Sequence, residues 1–497
     1  MCPLGVIDIG SNSVRLVVYA REPGAITPLF NEKILCGLGR SVGSQGHLGE
    51  EAMSRALKAL ARFRSISDRL GVKELRAVAT AAVREASDGA TFVEKAQKQC
   101  GVHIDVLTGG REAELAAKGI MMGFIEPDGV AGDLGGGSLE LIDLEKNKSA
   151  HAITLPIGGL RLIDATKGSI ERAKGLIEKE LDRVDWLHLG KGRTFFGVGG
   201  TWRALAKLHM AATNYPLFIT QGYAMPPSEA KAFARTVCKS KRLSDFSGIE
   251  EISKARRDVV PYGALVLERV LARIKPKKIV FSVFGLREGL LYEMMSAQDG
   301  DPKIDPLLAF CEHFAEQNSR SAEHAHELCR WTDQIFEPPA FDETPSERRL
   351  RYAACLLSDI GWRRHPDYRE DQVPGMVAYS GMSGIDHPGR MFLALMVYYR
   401  HAGVGAHGLA DMWGGLRTSV GRKSDDRARI IAAAVRCAHT FSAGMPGVID
   451  DIGLKLNDKT IVLSIPSKHA ALDGERTRRR FSSLASLLAR EPVVRIV

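Results

Sequence analysis

Two short stretches of this 497-residue chain carry the residue types that handle phosphate. Asp8-Ile9-Gly10-Ser11-Asn12-Ser13-Val14-Arg15-Leu16 returns 125 residues later as Asp133-Leu134-Gly135-Gly136-Gly137-Ser138-Leu139-Glu140-Leu141. In each copy an aspartate precedes a run of Gly, Ser and Asn, whose backbone N–H groups and hydroxyls suit phosphate oxygens. The aspartate itself would repel phosphate unless a divalent cation sat between the two. Asp8 and Asp133 are therefore candidate ligands for Mg²⁺ or Mn²⁺. A third glycine turn, Gly197 to Thr201, opens a predicted helix and adds Gly199, Gly200 and Thr201 to the phosphate candidates. Ser11, Asn12, Ser13, Gly135, Gly136, Gly137 and Ser138 are the donors of the paired turns. Glu140 follows the second turn and joins Asp133 as a catalytic or metal candidate, an exposed strand position being the plain alternative.

Such turns must be held by strands. Apolar runs at 4–7 and 130–131 lead in, and runs at 14–19 and 139–144 lead out, so each turn reads as the tip of a β-hairpin. Behind the first hairpin the pattern predicts a helix over 50–70, a strand over 74–78, a helix over 81–100, a strand over 103–107 and a helix over 110–122. Behind the second it predicts a helix over 170–184, a strand over 194–198, a helix running to His209 and a strand over 278–283. Strands alternating with helices in two halves predict duplicated α/β architecture with the site between them. After Asp299-Gly300-Asp301-Pro302 the periodicity turns helical to about Ala443. A hairpin at 453–456 and 460–465 and a helix over 476–489 close the chain. The expected domains are 1–125, 126–300, 301–443 and 444–497.

Composition excludes several classes. Hydrophobic content of 45% and charged content of 26% are globular values. No run approaches the roughly 20 apolar residues of a membrane span. The opening Met1 to Gly5 leads straight into a strand, leaving no room for a signal peptide. Eight scattered cysteines with no CxxC pair predict reduced thiols in a cytoplasmic protein. A net charge of +9 predicts a polyanionic partner, and no nucleic-acid-binding signature accompanies it.

The paired turns resemble those of the actin-like superfamily of sugar kinases and chaperone ATPases. With their neighbours they resemble more specifically the exopolyphosphatase and guanosine pentaphosphate phosphohydrolase family. Asp8 to Leu16 matches its D-x-G-S-N-S-x-R-L stretch, and Ala79 to Ala86 its A-T-x-A-x-R-x-A segment. Asp133 to Glu140 matches its D-x-G-G-G-S-x-E, and Gly197 to Thr201 its G-x-G-G-T. The resemblance implies two actin-like (ribonuclease H-like) α/β domains, a helical His-Asp-like domain and a small α+β C-terminal domain. It implies hydrolysis of terminal orthophosphate from inorganic polyphosphate, with guanosine pentaphosphate as the alternative substrate, and a homodimer. It implies Glu112 as general base, although Arg111 stands where the family has a first glutamate. Thr80, Arg84 and Arg15 are implied substrate contacts, with Arg161 a weaker one. In the helical region Ser358 replaces the histidine that a working metal site needs before Asp359. His324 and Asp359 are therefore expected as relics in a scaffold.

Overall fold

The computed structural model describes all residues except 1–2, 23–24, 147, 241, 300–304, 339–340 and 406–410. They form two compact units, residues 1–303 and 304–497. The first unit is a duplicated α/β structure. Its first sheet contains β1 (Leu4–Ile9), β2 (Ser13–Glu22), β3 (Ala25–Leu35), β4 (Glu74–Ala79) and β5 (Ile104–Val106), in the order β3-β2-β1-β4-β5. Its second contains β6 (Gly129–Leu134), β7 (Leu139–Glu145), β8 (Lys148–Leu155), β9 (Thr194–Val198), β10 (Ala224–Met225) and β11 (Lys278–Phe281). The order β10-β11-β9-β6-β7-β8 repeats the first arrangement with β10 added at the edge. Both begin with an antiparallel meander and continue with parallel strands, β1 beside β4 and β6 beside β9.

Each sheet is apolar on both faces, which explains its continuous hydrophobic strands. One face of the first sheet packs Ile7, Ile9 and Val14 against Phe63 and Phe92 from the following helices. One face of the second packs Val130, Leu139 and Leu141 with Trp202 and Leu271. The other faces are covered by two helices that cross between the sheets. Gly109–Gly123 lays Ala113, Ala116 and Ile120 on the second sheet, and Leu286–Asp299 lays Leu290, Leu291 and Met294 on the first. The crossing is close because both helices carry glycine there. A Cβ on Gly119 would lie 2.0 Å from the Gly285 carbonyl oxygen, and one on Gly289 would lie 1.8 Å from that of Leu115. These two helices carry Glu112 and Arg287 at their starts.

Sequence periodicity and structure differ at several places. The helix expected over 81–100 is two helices, Ala81–Glu85 and Gly89–Cys100. Asp88 between them accepts the Leu48 N–H at 2.9 Å instead of continuing the first. The third strand of each meander and the last strand of the chain were not expected. Lys148–Leu155 is exposed over most of its length, so it lacks the apolar alternation that marks a half-buried strand.

Among the described residues the second unit runs through seven helices, from Pro306–Asn318 to Arg422–Ser442. It ends in a small sheet of β12 (Gly453–Leu456), β13 (Thr460–Ile465) and β14 (Glu491–Ile496) with the helix Glu475–Leu487. No helix among the described residues is long and apolar enough to cross a membrane.

Candidate active site

The two Asp-Gly-Ser turns have the same backbone. Gly10 N–H donates to the Ser13 carbonyl at 3.0 Å, and Gly135 N–H to the Ser138 carbonyl at 2.9 Å. They face each other at contact distance: a Cβ on Gly137 would sit 3.0 Å from Ser11 Oγ. Gly199 adopts φ +101°, and a side chain there would meet the Leu134 carbonyl oxygen at 2.4 Å, so only glycine fits. That turn starts the helix Gly200–Ala212, whose first N–H groups have no intrahelical acceptor and suit an anion.

Between the turns lies a cavity of about 200 Å³. Its wall includes Asp8, Ser11, Asn12, Ser13, Arg15, Thr80, Glu112, Asp133, the Gly135–Ser138 turn, Glu140 and Gly199 to Thr201. Sequence reasoning missed four cations that share this wall: Lys33, Arg203, Arg256 and Arg287. Arg203 lies two residues beyond the third glycine turn and Arg287 inside Gly285 to Gly289, so both had a local signal. Lys33 pairs with Arg15 across β2 and β3, and Arg256 lies in a four-residue helix; neither position is marked by a motif.

The charges are unevenly spread. Arg287 Nη1 donates to Asp8 Oδ2 at 2.8 Å, and Arg15 Nε donates to Asn31 Oδ1 at 2.7 Å. Burial and then the surrounding guanidinia of Arg256, Arg15 and Arg203 push Lys33 down to about 8. Burial, Arg287 and Arg256 push Arg203 down to about 10. Burial works against Arg287 as well, but Glu288 and Asp8 outweigh it and hold its pKa above the ordinary value. A phosphoryl dianion entering here relieves the mutual repulsion of these cations.

The carboxylates of the second turn move the other way. Burial raises Asp133 to about 6 against the opposing pull of Arg203 and Arg287. Glu140 is raised well above its usual range by burial, Glu112 and Asp133. Its Oε1 is buried without a hydrogen-bond partner. Asp133 and Glu140 face each other in register across β6 and β7.

Glu112 enters from the first turn of the helix Gly109–Gly123, capped by Thr108, and is 7% exposed. Burial pushes it up to about 7 despite Arg84, whose Nη1 donates to Glu112 Oε2 at 2.8 Å. Arg84 is not part of the cavity wall: its guanidinium is engaged by Glu112 and by the Leu107 carbonyl at 2.7 Å. Arg84 lies in the last turn of the short helix Ala81–Glu85 that follows Thr80. Asp8 lines the cavity with one of its oxygens paired to Arg287. Arg161 likewise pairs with Glu85. Arg111, at the family's first glutamate, points to Glu293 and Glu114.

Among the described residues no trio of His, Cys, Asp or Glu is arranged to hold a metal ion. Asp133 and Glu140 still suit a hard cation, since Mg²⁺ takes one or two carboxylates and completes its shell with water and phosphate oxygens. The orphaned Glu140 Oε1 is the observation that fits such an ion.

In the second unit, Asp359 is held by Arg320 through two hydrogen bonds and His324 pairs with Glu327. Arg390 is buried and donates to the carbonyls of Ala378, Ser380 and Met382. These contacts are structural.

Residues 17–298 match the Ppx/GppA phosphatase family, and residues 307–494 match a region described as exopolyphosphatase, C-terminal. An "Exopolyphosphatase 1" of Mycobacterium leprae is 29% identical over 314 residues, covering 59% of this chain and 90% of that protein. A "Guanosine-5'-triphosphate,3'-diphosphate pyrophosphatase" of Photobacterium profundum is 30% identical over 368 residues, covering 71% of each. A crystal structure of an exopolyphosphatase from Cytophaga hutchinsonii superposes with a TM-score of 0.54 at 29% identity, covering 59% of this chain and 98% of that one. Glu112, the second turn and the four unforeseen cations all lie inside the 17–298 match, and the chain belongs to the Ppx/GppA phosphatase family.

Proposed function

We propose that the chain is an exopolyphosphatase, releasing orthophosphate from the end of inorganic polyphosphate. The observation that carries this reading is Glu112: a buried carboxylate with a pKa near the working pH, oriented by Arg84, at the edge of a cavity walled by phosphate-binding turns. The terminal phosphoryl group lies between the turns, held by Ser11, Asn12, Ser13 and the Gly135–Ser138 backbone. Glu112 accepts a proton from water as its oxygen bonds to phosphorus. The bond to the bridging oxygen breaks, and Arg15, Lys33, Arg203 and Arg256 stabilise the charge of the departing chain. The reaction needs positioning and charge stabilisation rather than a covalent intermediate. A Mg²⁺ or Mn²⁺ at Asp133 and Glu140 would neutralise phosphate charge next to the second turn.

The same reading includes an actin-like arrangement of the two halves, a homodimer and a cytoplasmic setting. Guanosine pentaphosphate is the second substrate reading, favoured by the relative whose similarity covers 71% of the chain. Phosphate release from long-chain polyphosphate and from guanosine pentaphosphate, measured side by side, separates the two. Glu112→Gln is expected to lower kcat by about 10²-fold or more on the true substrate. A near-normal rate would remove Glu112 as the base.

A further inference from the structure

Arg84, which holds Glu112, stands between two carboxylates. Its Nη1 donates to Glu112 Oε2 at 2.8 Å and to the Leu107 carbonyl at 2.7 Å. Its Nη2 lies 3.9 Å from Oε1 of Glu85, the next residue in the chain. The other oxygen of Glu85 pairs with Arg161, which comes from the second half of the unit. Charge therefore alternates along Arg161, Glu85, Arg84 and Glu112. Among the described residues Glu85 forms ion pairs with these two arginines alone.

Both ends of this row rest on the second Asp-Gly-Ser turn. Arg84 and Glu85 belong to the helix Ala81–Glu85, whose first residue lies against Gly137: a Cβ added to that glycine would meet the Ala81 Cβ at 3.2 Å. Arg161 belongs to the helix Gly159–Thr166. The N–H groups of Leu160 and Arg161 donate to the Gly136 carbonyl at 2.9 and 3.1 Å. Leu160 lines the cavity and Arg161 does not. The Arg161 guanidinium is taken up by Glu85.

Adjacent residues of a helix do not face each other, so Glu85 sits to one side of Arg84 and does not support its bond to Glu112. A guanidinium between two carboxylates is drawn to the one whose charge is less compensated. Arg161 compensates Glu85. Without it, Glu85 would close the 3.9 Å gap to Arg84 and turn that guanidinium away from Glu112. We propose that Arg161 is a positioning residue: by occupying Glu85 it leaves Arg84 free to orient Glu112. The second turn then anchors the arginine that orients the base as well as the donors that hold phosphate. This role rests on the reading of Glu112 as the general base.

The test is the kcat and KM of phosphate release by the full chain. The substrate is whichever of long-chain polyphosphate and guanosine pentaphosphate the parent turns over. Arg161→Gln should lower kcat about tenfold and leave KM within about twofold, because a misdirected base costs rate and not binding. Adding Glu85→Gln should restore most of the lost kcat, since no second carboxylate then competes for Arg84. Arg161→Lys keeps the charge without the planar fork and should fall between the parent and Arg161→Gln. Placed on Glu112→Gln, Arg161→Gln should cost nothing further, because the group it acts through is gone. The side chains of Arg161 and Glu85 are 22% and 35% exposed, so these substitutions are compatible with folding. A raised KM with unchanged kcat would make Arg161 a substrate contact and overturn the proposal. An unchanged Arg161→Gln, a double variant no faster than Arg161→Gln, or an equal loss on Glu112→Gln and on the parent would overturn it too. Each of those results leaves Glu112 standing as the base, whereas a parent-like rate for Glu112→Gln defeats both readings.

Discussion

The two Asp-Gly-Ser hairpins share a backbone and oppose each other in charge. In both, a glycine N–H closes the turn onto a serine carbonyl. In both, the aspartate faces a side chain in register on the next strand. That partner is Arg15 opposite Asp8 and Glu140 opposite Asp133. Arg287 adds a second cation beside Asp8, whereas burial raises both Asp133 and Glu140, and Glu112 and Asp133 raise Glu140 further. The duplication supplied matching geometry, and one cross-strand residue set the sign of each wall. The first wall is suited to an anion, and the second to a cation or a proton.

The strongest way to break this comparison is to remove the neutralising charge from the first wall. Arg287→Met leaves Asp8 facing substrate phosphate with no ion pair, and kcat/KM should fall about 10²- to 10³-fold. Adding Asp8→Asn should recover part of that loss, because it removes the repulsion that Arg287 had offset. If the double variant is no better than Arg287→Met, charge neutralisation at Asp8 is the wrong account.

The second wall is tested by its ion requirement. Glu140→Gln should raise the Mg²⁺ concentration for half-maximal activity about tenfold, and Asp8→Asn, already paired with Arg287, should raise it by less. Titrating Mg²⁺ against initial rate measures both. The opposite ranking would reverse the assignment of the walls.

Much of this was legible in the sequence because turns are local. Asp8 to Ser13 and Asp133 to Ser138 fix their own backbone, and their spacing announces the duplication. The charge pattern was only half legible. Glu140 could be read because it is near its turn in sequence, but Lys33 reaches the cavity only through a strand pairing that periodicity did not show. Arg256 reaches it by lying against Gly200, whose Cβ would come within 2.6 Å of the guanidinium. The hydrogen bond of Arg84 to Glu112, 28 residues away, was hidden for the same reason.

A smaller effect concerns pH. Glu112 must be ionised to accept a proton, so kcat/KM should fall as pH drops through about 7. Arg84 favours the ionised form, and Arg84→Met should move that acidic limb upwards by roughly one pH unit. A pH–rate profile with an unmoved limb would show that Arg84 does not hold the base.

The smallest effect is on stability, and it separates the walls without any substrate. Glu140 has a folded pKa raised above its unfolded value. As pH rises from the usual carboxylate range towards the folded value, the native state keeps a proton that the unfolded state has released. Stability is lost across that window, and the penalty is complete above it. Glu140→Gln removes the penalty, so in metal-free buffer its Tm should exceed the parent's by roughly 2–4 °C at pH 8. The gap should narrow as pH is lowered towards 4.5, where the parent's Glu140 is protonated in the folded state. Mg²⁺ should then raise the parent's Tm more than the variant's, because only the parent retains both carboxylates for the ion. A gap that stays constant with pH would mean that the substitution acts through packing, and that the acidity of the second wall is not what distinguishes it.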